Sequence, residues 1–296
     1  LNDLWRYNPV DDEWTWVSGG SNADEPGVYS SAHGQPGGAP GGRHSAAGWA
    51  DDQGNFWIFG GTGYGVSSAT FGLLNDLWRY NPAQDEWTWM KGSDVIGATN
   101  VSGDRGVPAL ANTPGGRECS PYVWKDQNGK AWLLGAILAG TDLQGDMWRY
   151  DHVTNEWTWM LGASTLNERP VYGAVGVADP ANRAGARSKH VGWTDSDGNF
   201  WVFGGYGYNT GGSGTQRYHL NTVMKLEAIV PIVPDQPGLF TMASPDVCVG
   251  ESNVTYTVAA VAAATSYDWE YSGTNATFTA NTPTPTNSVS FAANAT

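Results

Sequence analysis

Three arginines recur at nearly equal spacing and are the first residues to suggest chemistry. Arg43, Arg117 and Arg187 lie 74 and 70 residues apart, and each begins a similar segment. Guanidinium groups bind carboxylates and phosphates through paired hydrogen bonds, so arginines close to a common axis would suit an anion site. Because the arginine returns at the same place each time, the favoured interpretation is a scaffold role, with bonds to nearby carboxylates or carbonyls.

A second set of candidates consists of aromatic side chains in glycine-rich segments. Exposed tyrosines among Gly, Ser and Asn suit contact with carbohydrate or protein. The alternative is that these side chains only brace the loops that carry them. The candidate ligand-binding residues are Tyr29, His33, Tyr64, Tyr172, Tyr206 and Tyr208.

Catalytic and metal-binding signals are weak in this sequence. No nucleophile motif, phosphate-binding loop or zinc-protease motif is visible. The two cysteines, Cys119 and Cys248, have no zinc-site spacing and fall in different predicted domains, so we expect no disulfide between them. We therefore predict no catalytic residue, no metal ligand and no cofactor.

The segments that would position these residues occur three times in the sequence. Closely similar aromatic phrases run from Asn2 to Gly19, Asn75 to Gly92 and Gly145 to Gly162, each with Tyr and Trp seven positions apart. Alternate residues of a strand share a face, so Tyr80 opposite Trp87 places Trp78 and Trp89 opposite each other as well. The constant spacing predicts an aromatic hairpin with a fixed register.

Each repeat is predicted to hold four short strands. Gly54, in the first turn, can adopt the positive φ that a tight hairpin needs, and Asn81-Pro82 ends the third strand. Such a sheet cannot bury its aromatic face alone, which favours radial stacking of repeats. In the repeat that begins at Arg43, the predicted strands are His44 to Trp49, Phe56 to Gly61, Asp76 to Tyr80 and Glu86 to Met90.

The order "FGG", "NDLWRYNP" and then Tyr and Trp separated by six residues resembles the kelch motif of β-propellers. The resemblance covers Leu1 to about Ile229 and implies blades similar to the central domain of galactose oxidase. The repeats are longer than the roughly 50 residues typical of kelch. About three and a half blades are expected, as the C-terminal part of a longer propeller.

Three long inserts account for the extra length, at Gly20 to Gly42, Ser93 to Gly116 and Ala163 to Ala186. Strand directions place them on one rim, with the short hairpins on the other. Loops of this length are usually functional or disordered. The inserts are similar to one another in sequence, which argues against disorder. They are therefore expected to form either a structural collar or a binding surface.

The kelch resemblance also raises an enzymatic alternative. A copper radical oxidase needs two Tyr, two His and a Cys joined to Tyr, but nothing in the sequence places Cys119 and the five histidines in that arrangement. "DDQGNFW" faintly resembles the Asp-box of sialidases, with Ala50 in place of the leading Ser. The fold alone does not confer either activity.

Composition changes abruptly near residue 230. All 15 basic residues, and every tryptophan except Trp269, precede that point, and "PIVPDQPG" marks a linker. We predict a propeller at 1–230, a linker at 231–237 and a truncated β-sandwich at 238–296. The last segment has short alternating strands and resembles the PKD-like, immunoglobulin-type modules of surface proteins from gliding bacteria. That resemblance implies a pairing of Cys248 with a cysteine beyond Thr296.

The net charge of -14 disfavours nucleic acid and anionic membranes as partners, and no apolar run is long enough to span a bilayer. The prediction is therefore an all-β protein that is secreted or displayed on a bacterial surface. Its propeller is expected to present the long-loop rim to a glycan or protein. The runner-up is a carbohydrate-active enzyme on the same propeller, either a copper radical oxidase or a sialidase-like hydrolase.

Overall fold

A computed structural model describes residues 1–118, 122–138, 142–162, 165–211 and 216–227, together with the backbone of four later strands. Within these residues the chain is all-β, without helices, and none of its several sheets is closed. The chain divides into two compact units, Leu1–Ala228 and Ile229–Thr296. Cys119, Cys248, Trp269 and the predicted linker lie outside the described residues.

The first unit contains eighteen described strands in five antiparallel sheets. They are β1 (Leu4–Asn8), β2 (Glu13–Ser18), β3 (Pro36–Gly38), β4 (Arg43–His44), β5 (Ala47–Ala50), β6 (Phe56–Tyr64), β7 (Phe71–Asn81), β8 (Glu86–Lys91), β9 (Trp124–Lys125), β10 (Ala131–Ile137), β11 (Leu143–Asp151), β12 (Glu156–Leu161), β13 (Arg187–Ser188), β14 (Val191–Thr194), β15 (Phe200–Phe203), β16 (Tyr206–Gly207), β17 (Tyr218–His219) and β18 (Val223–Leu226).

These strands form one aromatic hairpin followed by successive larger sheets. The hairpin is β1–β2, and the next sheet has the order β3-β8-β7-β6-β4, with β5 also paired to β6. The third sheet is β12-β11-β10-β9, and the last repeat forms β14-β15-β18 and the small sheet β13-β16-β17. The predicted four-strand pattern is thus present in the second repeat, while the first strand of the repeat at Arg43 is broken into β4 and β5.

The predicted register of the aromatic phrases is confirmed. Tyr80 lies opposite Trp87 and Trp78 opposite Trp89. The hairpins β1–β2 and β11–β12 have the same pairing. In the β7–β8 turn the tyrosine hydroxyl donates to Asp85 at 2.6 Å, and Asp85 has a φ of 53°. This bond fixes the turn and explains why the Tyr–Trp spacing is constant.

Glycines bend the second strand of a repeat where it changes partner. Gly60 and Gly61 have φ values of 65° and 93°, and β6 continues through them to Tyr64. Gly204 and Gly205 have almost the same φ values, 66° and 99°, but there the strand is interrupted between β15 and β16. The two small sheets of the last repeat therefore correspond to one longer sheet in the repeat at Arg43.

Successive sheets pack face to face through their aromatic side chains. Trp49, Trp57 and Phe59 form one core cluster with Trp148 and Trp157 of the following repeat. A second cluster joins the β9–β12 sheet to β15, and a third joins the β7–β8 hairpin to β1 and β2. The prediction that each aromatic face is sheltered by a neighbouring sheet is confirmed for these contacts.

In the row of packed sheets, the first and the last sheet each have an outer face with no described sheet against it. These outer faces carry the same residue types as the buried faces. Trp14 occupies the repeat position of Trp157, yet it is 66% exposed while Trp157 is 0% exposed. At the other end, Trp193 and Phe203 are exposed, although they correspond to the buried Trp49 and Phe59. Burial in this unit is therefore set by the presence of an adjacent sheet and not by the residue itself.

The first two inserts lie along the outer strand of the next sheet. β3 pairs with β8, and Gly38 lies so close to Trp78 that an added Cβ would be 2.7 Å from the indole ring. In the second insert, Ala109 forms a bridge to Trp157. These contacts support the structural-collar interpretation for both inserts.

The second unit has one described antiparallel sheet in the order β19-β20-β22-β21. Its strands are β19 (Thr241–Met242), β20 (Val254–Thr257), β21 (Ala276–Phe278) and β22 (Thr286–Phe291). The prediction of short strands in this segment is confirmed for these four, and the residues around Trp269 lie outside the described residues.

Candidate functional site

Two of the three recurring arginines form buried ion pairs. Nη1 and Nη2 of Arg43 contact the two carboxylate oxygens of Asp76 at 2.6 and 2.7 Å. Arg117 contacts Asp146 in the same bidentate manner at 2.8 and 3.0 Å. The expected scaffold role is confirmed for these two residues. Arg187 bonds to backbone carbonyls, including Gly204 O at 3.0 Å, which the same prediction also allowed.

Tyr29 and His33, two of the predicted ligand-binding residues, both contact Trp89. The Tyr29 ring lies 4.9 Å from that indole, and its hydroxyl donates to Asp76 at 2.7 Å. Burial, reinforced by the Asp76 charge, raises the pKa of Tyr29. The His33 ring lies 4.1 Å from Trp89 and is exposed, with Nε2 3.0 Å from Gly92 O. Tyr29 thus braces the site from inside, while His33 faces solvent.

A cavity of about 810 Å³ opens beside these rings. Its walls come from the end of β8 and from the insert that follows it. Besides His33 and Trp89, the lining includes Lys91, Asp94 and Asn112. The cavity combines aromatic and polar side chains, as binding sites for small molecules commonly do.

Lys91 is the least expected residue of this cavity. It is 7% exposed, and its Nζ donates to Leu110 O at 2.6 Å. Burial lowers the pKa of Lys91, and Glu156 partly opposes that effect. The corresponding positions in the other two aromatic phrases are Ser18 and Leu161. A buried lysine is costly, so its presence at only one of the repeats distinguishes this cavity.

The four remaining predicted residues lie elsewhere. Burial and the nearby Asp24 raise the pKa of Tyr64, and its ring lies 5.3 Å from Phe71. Tyr172 is 42% exposed, and Tyr206 lines a second cavity of about 560 Å³. Tyr208 is buried, with the guanidinium groups of Arg169 and Arg217 at 5.4 and 5.7 Å from its ring. The six candidates therefore do not converge on one site.

The five histidines are distributed over separate contacts. His33 lies on Trp89, His44 near Phe71, His152 near Trp57, His190 on Trp124 and His219 beside Tyr206. In the part of the chain that the structure describes, no three His, Cys, Asp or Glu side chains are placed to hold a metal ion. The copper-oxidase alternative thus has no supporting constellation there, and Cys119 lies outside the described residues.

The acidic turns that resemble an Asp-box serve the hairpin itself. Asp51 accepts bonds from the backbone amides of Gln53 and Asn55 at 3.0 and 2.9 Å, and from the Trp57 indole at 2.8 Å. Asp126 and Asp195 make the same set of contacts in their turns. The bonds from Trp201 and Asn199 lower the pKa of Asp195 to about 2. These carboxylates therefore accept hydrogen bonds within their own turns and stabilise the hairpin.

We expect the first unit to lose stability as the pH falls from about 6.5 to 4. Burial and the charge of Arg187 lower the pKa of His190 to about 4. The unfolded chain takes up this proton near pH 6.5, so acid favours unfolding, by up to roughly 2–3 kcal/mol. Urea unfolding at several pH values, followed by tryptophan fluorescence, measures the loss.

His190→Leu is the matched variant for that measurement. It should flatten the profile between pH 6.5 and 4, because leucine carries no titrating group. The loss below pH 4, where carboxylates such as Asp195 become protonated, should remain. An unchanged slope above pH 4 in His190→Leu would show that another group is responsible.

Sequence reasoning missed the polar residues around Trp89. Asn112 is buried, and its Nδ2 donates to Trp157 O at 3.1 Å, while Lys91 and Asp94 come from the end of an aromatic phrase. One signal in the sequence could have identified the cavity. At one position of the otherwise similar aromatic phrases, Lys91 replaces the Ser18 and Leu161 of the other two copies. A comparison of the phrases position by position would have identified it.

Comparison with known families identifies the C-terminal unit only. A family model described as a PKD-like domain matches residues 233–296, and no kelch or propeller family model matches the chain. No curated protein matches the sequence. PKD-like domains are common in extracellular and surface proteins, which fits a surface-binding role. In the described residues, no helix has the length and apolar character needed to cross a membrane.

Proposed function

We propose that this protein is a secreted or bacterial surface-displayed binding protein that recognises a glycan through the cavity beside Trp89. The carrying observation is that the cavity unites an aromatic wall with Lys91 and Asp94, for which the other aromatic phrases have no charged counterpart. Sugar rings pack an apolar face on aromatic side chains and bond through their hydroxyls to amides and charged groups. Trp89 would supply the platform, with Lys91, Asp94 and Asn112 as polar partners.

We further propose that the sheets of residues 1–230 are blades of a kelch-type propeller. The face-to-face packing of successive sheets, and the repeat-equivalent residues on the two outer faces, support this assignment. Residues 231–237 would form a linker and 238–296 a PKD-like sandwich that acts as a spacer. Tyr64, Tyr172, Tyr206 and Tyr208 would then lie outside the binding cavity.

The test is binding of residues 1–296 to a glycan array, followed by titration calorimetry with the best glycan. Lys91→Met keeps the side-chain length but removes the charge, so we expect at least a tenfold loss of affinity with stability unchanged or higher. His33→Ala, at an exposed position, should weaken binding by a similar factor.

Val175→Ala is the matched control for His33→Ala. Both residues directly precede a glycine with positive φ, Gly176 and Gly34, in corresponding inserts. We expect Val175→Ala to bind like the parent protein. Absence of any bound glycan, or affinities unaffected by Lys91→Met and His33→Ala, would overturn the proposal. Capture of a purified surface protein in place of a glycan would favour a protein ligand.

A further inference from the structure

In the last repeat, the buried Arg187 contacts no carboxylate among the described residues, unlike its two counterparts. In the earlier repeats, each arginine shares its carboxylate with an indole. Trp78 Nε1 donates to Asp76, and Trp148 Nε1 donates to Asp146, both at 2.6 Å. Arg187 occupies the same position and is 0% exposed.

Backbone carbonyls anchor the Arg187 guanidinium on two sides. Its Nε donates to Ala184 O at 3.1 Å, and its Nη2 donates to the same oxygen, three residues before Arg187. In Arg43 and Arg117, Nε contacts the carbonyl two residues earlier, Gly41 O and Gly115 O, also at 3.1 Å. Its Nη1 donates to Gly204 O, as Arg43 Nη1 does to Gly60 O. These contacts use one proton each of Nε, Nη1 and Nη2, so a second proton of Nη1 and of Nη2 remains for the edge that binds a carboxylate in the earlier repeats.

The sequence explains why no aspartate meets that edge. Thr222 stands at the position of Asp76 and Asp146, and its Oγ1 lies 3.4 Å from Arg187 Nη1. Among the described residues, Arg187 forms no ion pair. A buried charge without a counter-ion is unfavourable by several kcal/mol, and burial lowers the pKa of Arg187 accordingly.

Two neighbours of Arg187 are more exposed than the guanidinium itself. Tyr172 corresponds to Tyr29 and lies near Arg187, where it raises the arginine pKa and so opposes part of the effect of burial. Unlike Tyr29, however, Tyr172 is 42% exposed. Thr222 is half-buried, just before β18, which is the edge strand of its sheet. We therefore expect a small anion to approach Arg187 past Tyr172 and Thr222.

The local charge also favours an anion. The protein as a whole carries 15 basic and 29 acidic residues. Residues 165–227, in contrast, contain six basic and five acidic residues. Arg217 is among them, and its buried Nε has no hydrogen-bond partner in the described structure. An anion is therefore repelled less here than over the rest of the surface.

We propose that Arg187 binds the carboxylate group of a small ligand through Nη1 and Nη2, with the Tyr172 hydroxyl as an additional donor. The ligand carboxylate takes the role that Asp76 and Asp146 have in the earlier repeats. Planar bidentate geometry favours a carboxylate over a spherical anion. The site is separate from the cavity beside Trp89, so either proposal can fail without the other.

The probe is sodium acetate at pH 7, compared with sodium chloride at matched ionic strength. Acetate at about tenfold above its Kd should raise the Tm of the first unit by about 3–6 °C more than chloride does. Thr222→Asp supplies an internal carboxylate, so it should raise the Tm without ligand and abolish the acetate response. Thr222→Val, which adds no charge, should keep the response.

Tyr172→Phe provides a second test that does not depend on a core substitution. It removes one donor from an exposed side chain and should weaken the acetate response several-fold. Equal shifts with acetate and chloride would overturn the proposal, as would a full acetate response in Thr222→Asp. A Thr222→Asp variant less stable than Thr222→Val would also contradict the geometry.

Discussion

Asp146→Asn should lower the free energy of unfolding of the first unit by about 3–5 kcal/mol. The substitution keeps the size of the side chain but leaves the buried Arg117 guanidinium without the carboxylate that it contacts through Nη1 and Nη2. The bond from Trp148 Nε1 to that carboxylate is weakened as well. Urea unfolding at pH 7 gives the change, with tryptophan fluorescence reporting mainly on this unit.

The control is an ion pair on the surface. Asp52→Asn breaks the contact between Lys125 Nζ and Asp52 Oδ1, which measures 2.9 Å but joins two exposed side chains. Exposed pairs contribute at most about 1 kcal/mol, since water screens both charges. A loss in Asp146→Asn no larger than that in Asp52→Asn would show that the buried pair does not hold the repeat together.

Trp157→Ala should destabilise the first unit by about 3–5 kcal/mol. Trp157 is fully buried, with the ring of Phe59 from the preceding sheet at 5.0 Å and that of Tyr150 at 4.9 Å. Removing the indole leaves a cavity between two sheets that are already fixed by their backbone pairing. The measurement is the same fluorescence-detected urea titration.

Trp14→Ala is the matched variant, because Trp14 occupies the same repeat position and pairs with Tyr7 as Trp157 pairs with Tyr150. Its indole is largely exposed, so we expect a loss of less than about 1 kcal/mol. The difference between the two variants measures what packing by an adjacent sheet contributes. Similar losses would mean that the hairpin, and not the stacking, stabilises the aromatic phrase.

Local elements could be predicted well from the sequence. The Tyr–Trp spacing predicted the register of all three aromatic hairpins, Gly54 has the expected positive φ, and β7 ends at Asn81. These features depend on neighbours a few positions away, and their sequence signals are correspondingly short-range. The PKD-like character of the C-terminal unit was also recognisable, since it rests on a contiguous segment.

The candidate site was predictable only in part. His33 was named and lies at the cavity, and Tyr29 contacts Trp89 from the buried side. Lys91 and Asn112 were not named, because the cavity joins the end of one strand to a residue 21 positions later, near the end of the following insert. The other predicted tyrosines were grouped by composition, which does not report which loops meet.

The sequence by itself determined the repeat, the strands within it and the pairing of their aromatic residues, because each depends on spacing along the chain. Only the tertiary structure decided which copies are buried, as Trp14 and Trp157 show. It also decided the roles of the recurring arginines, since Arg117 meets a carboxylate 29 residues away and Arg187 meets Thr222 instead. The burial of a side chain and the compensation of its charge both depend on residues distant in sequence.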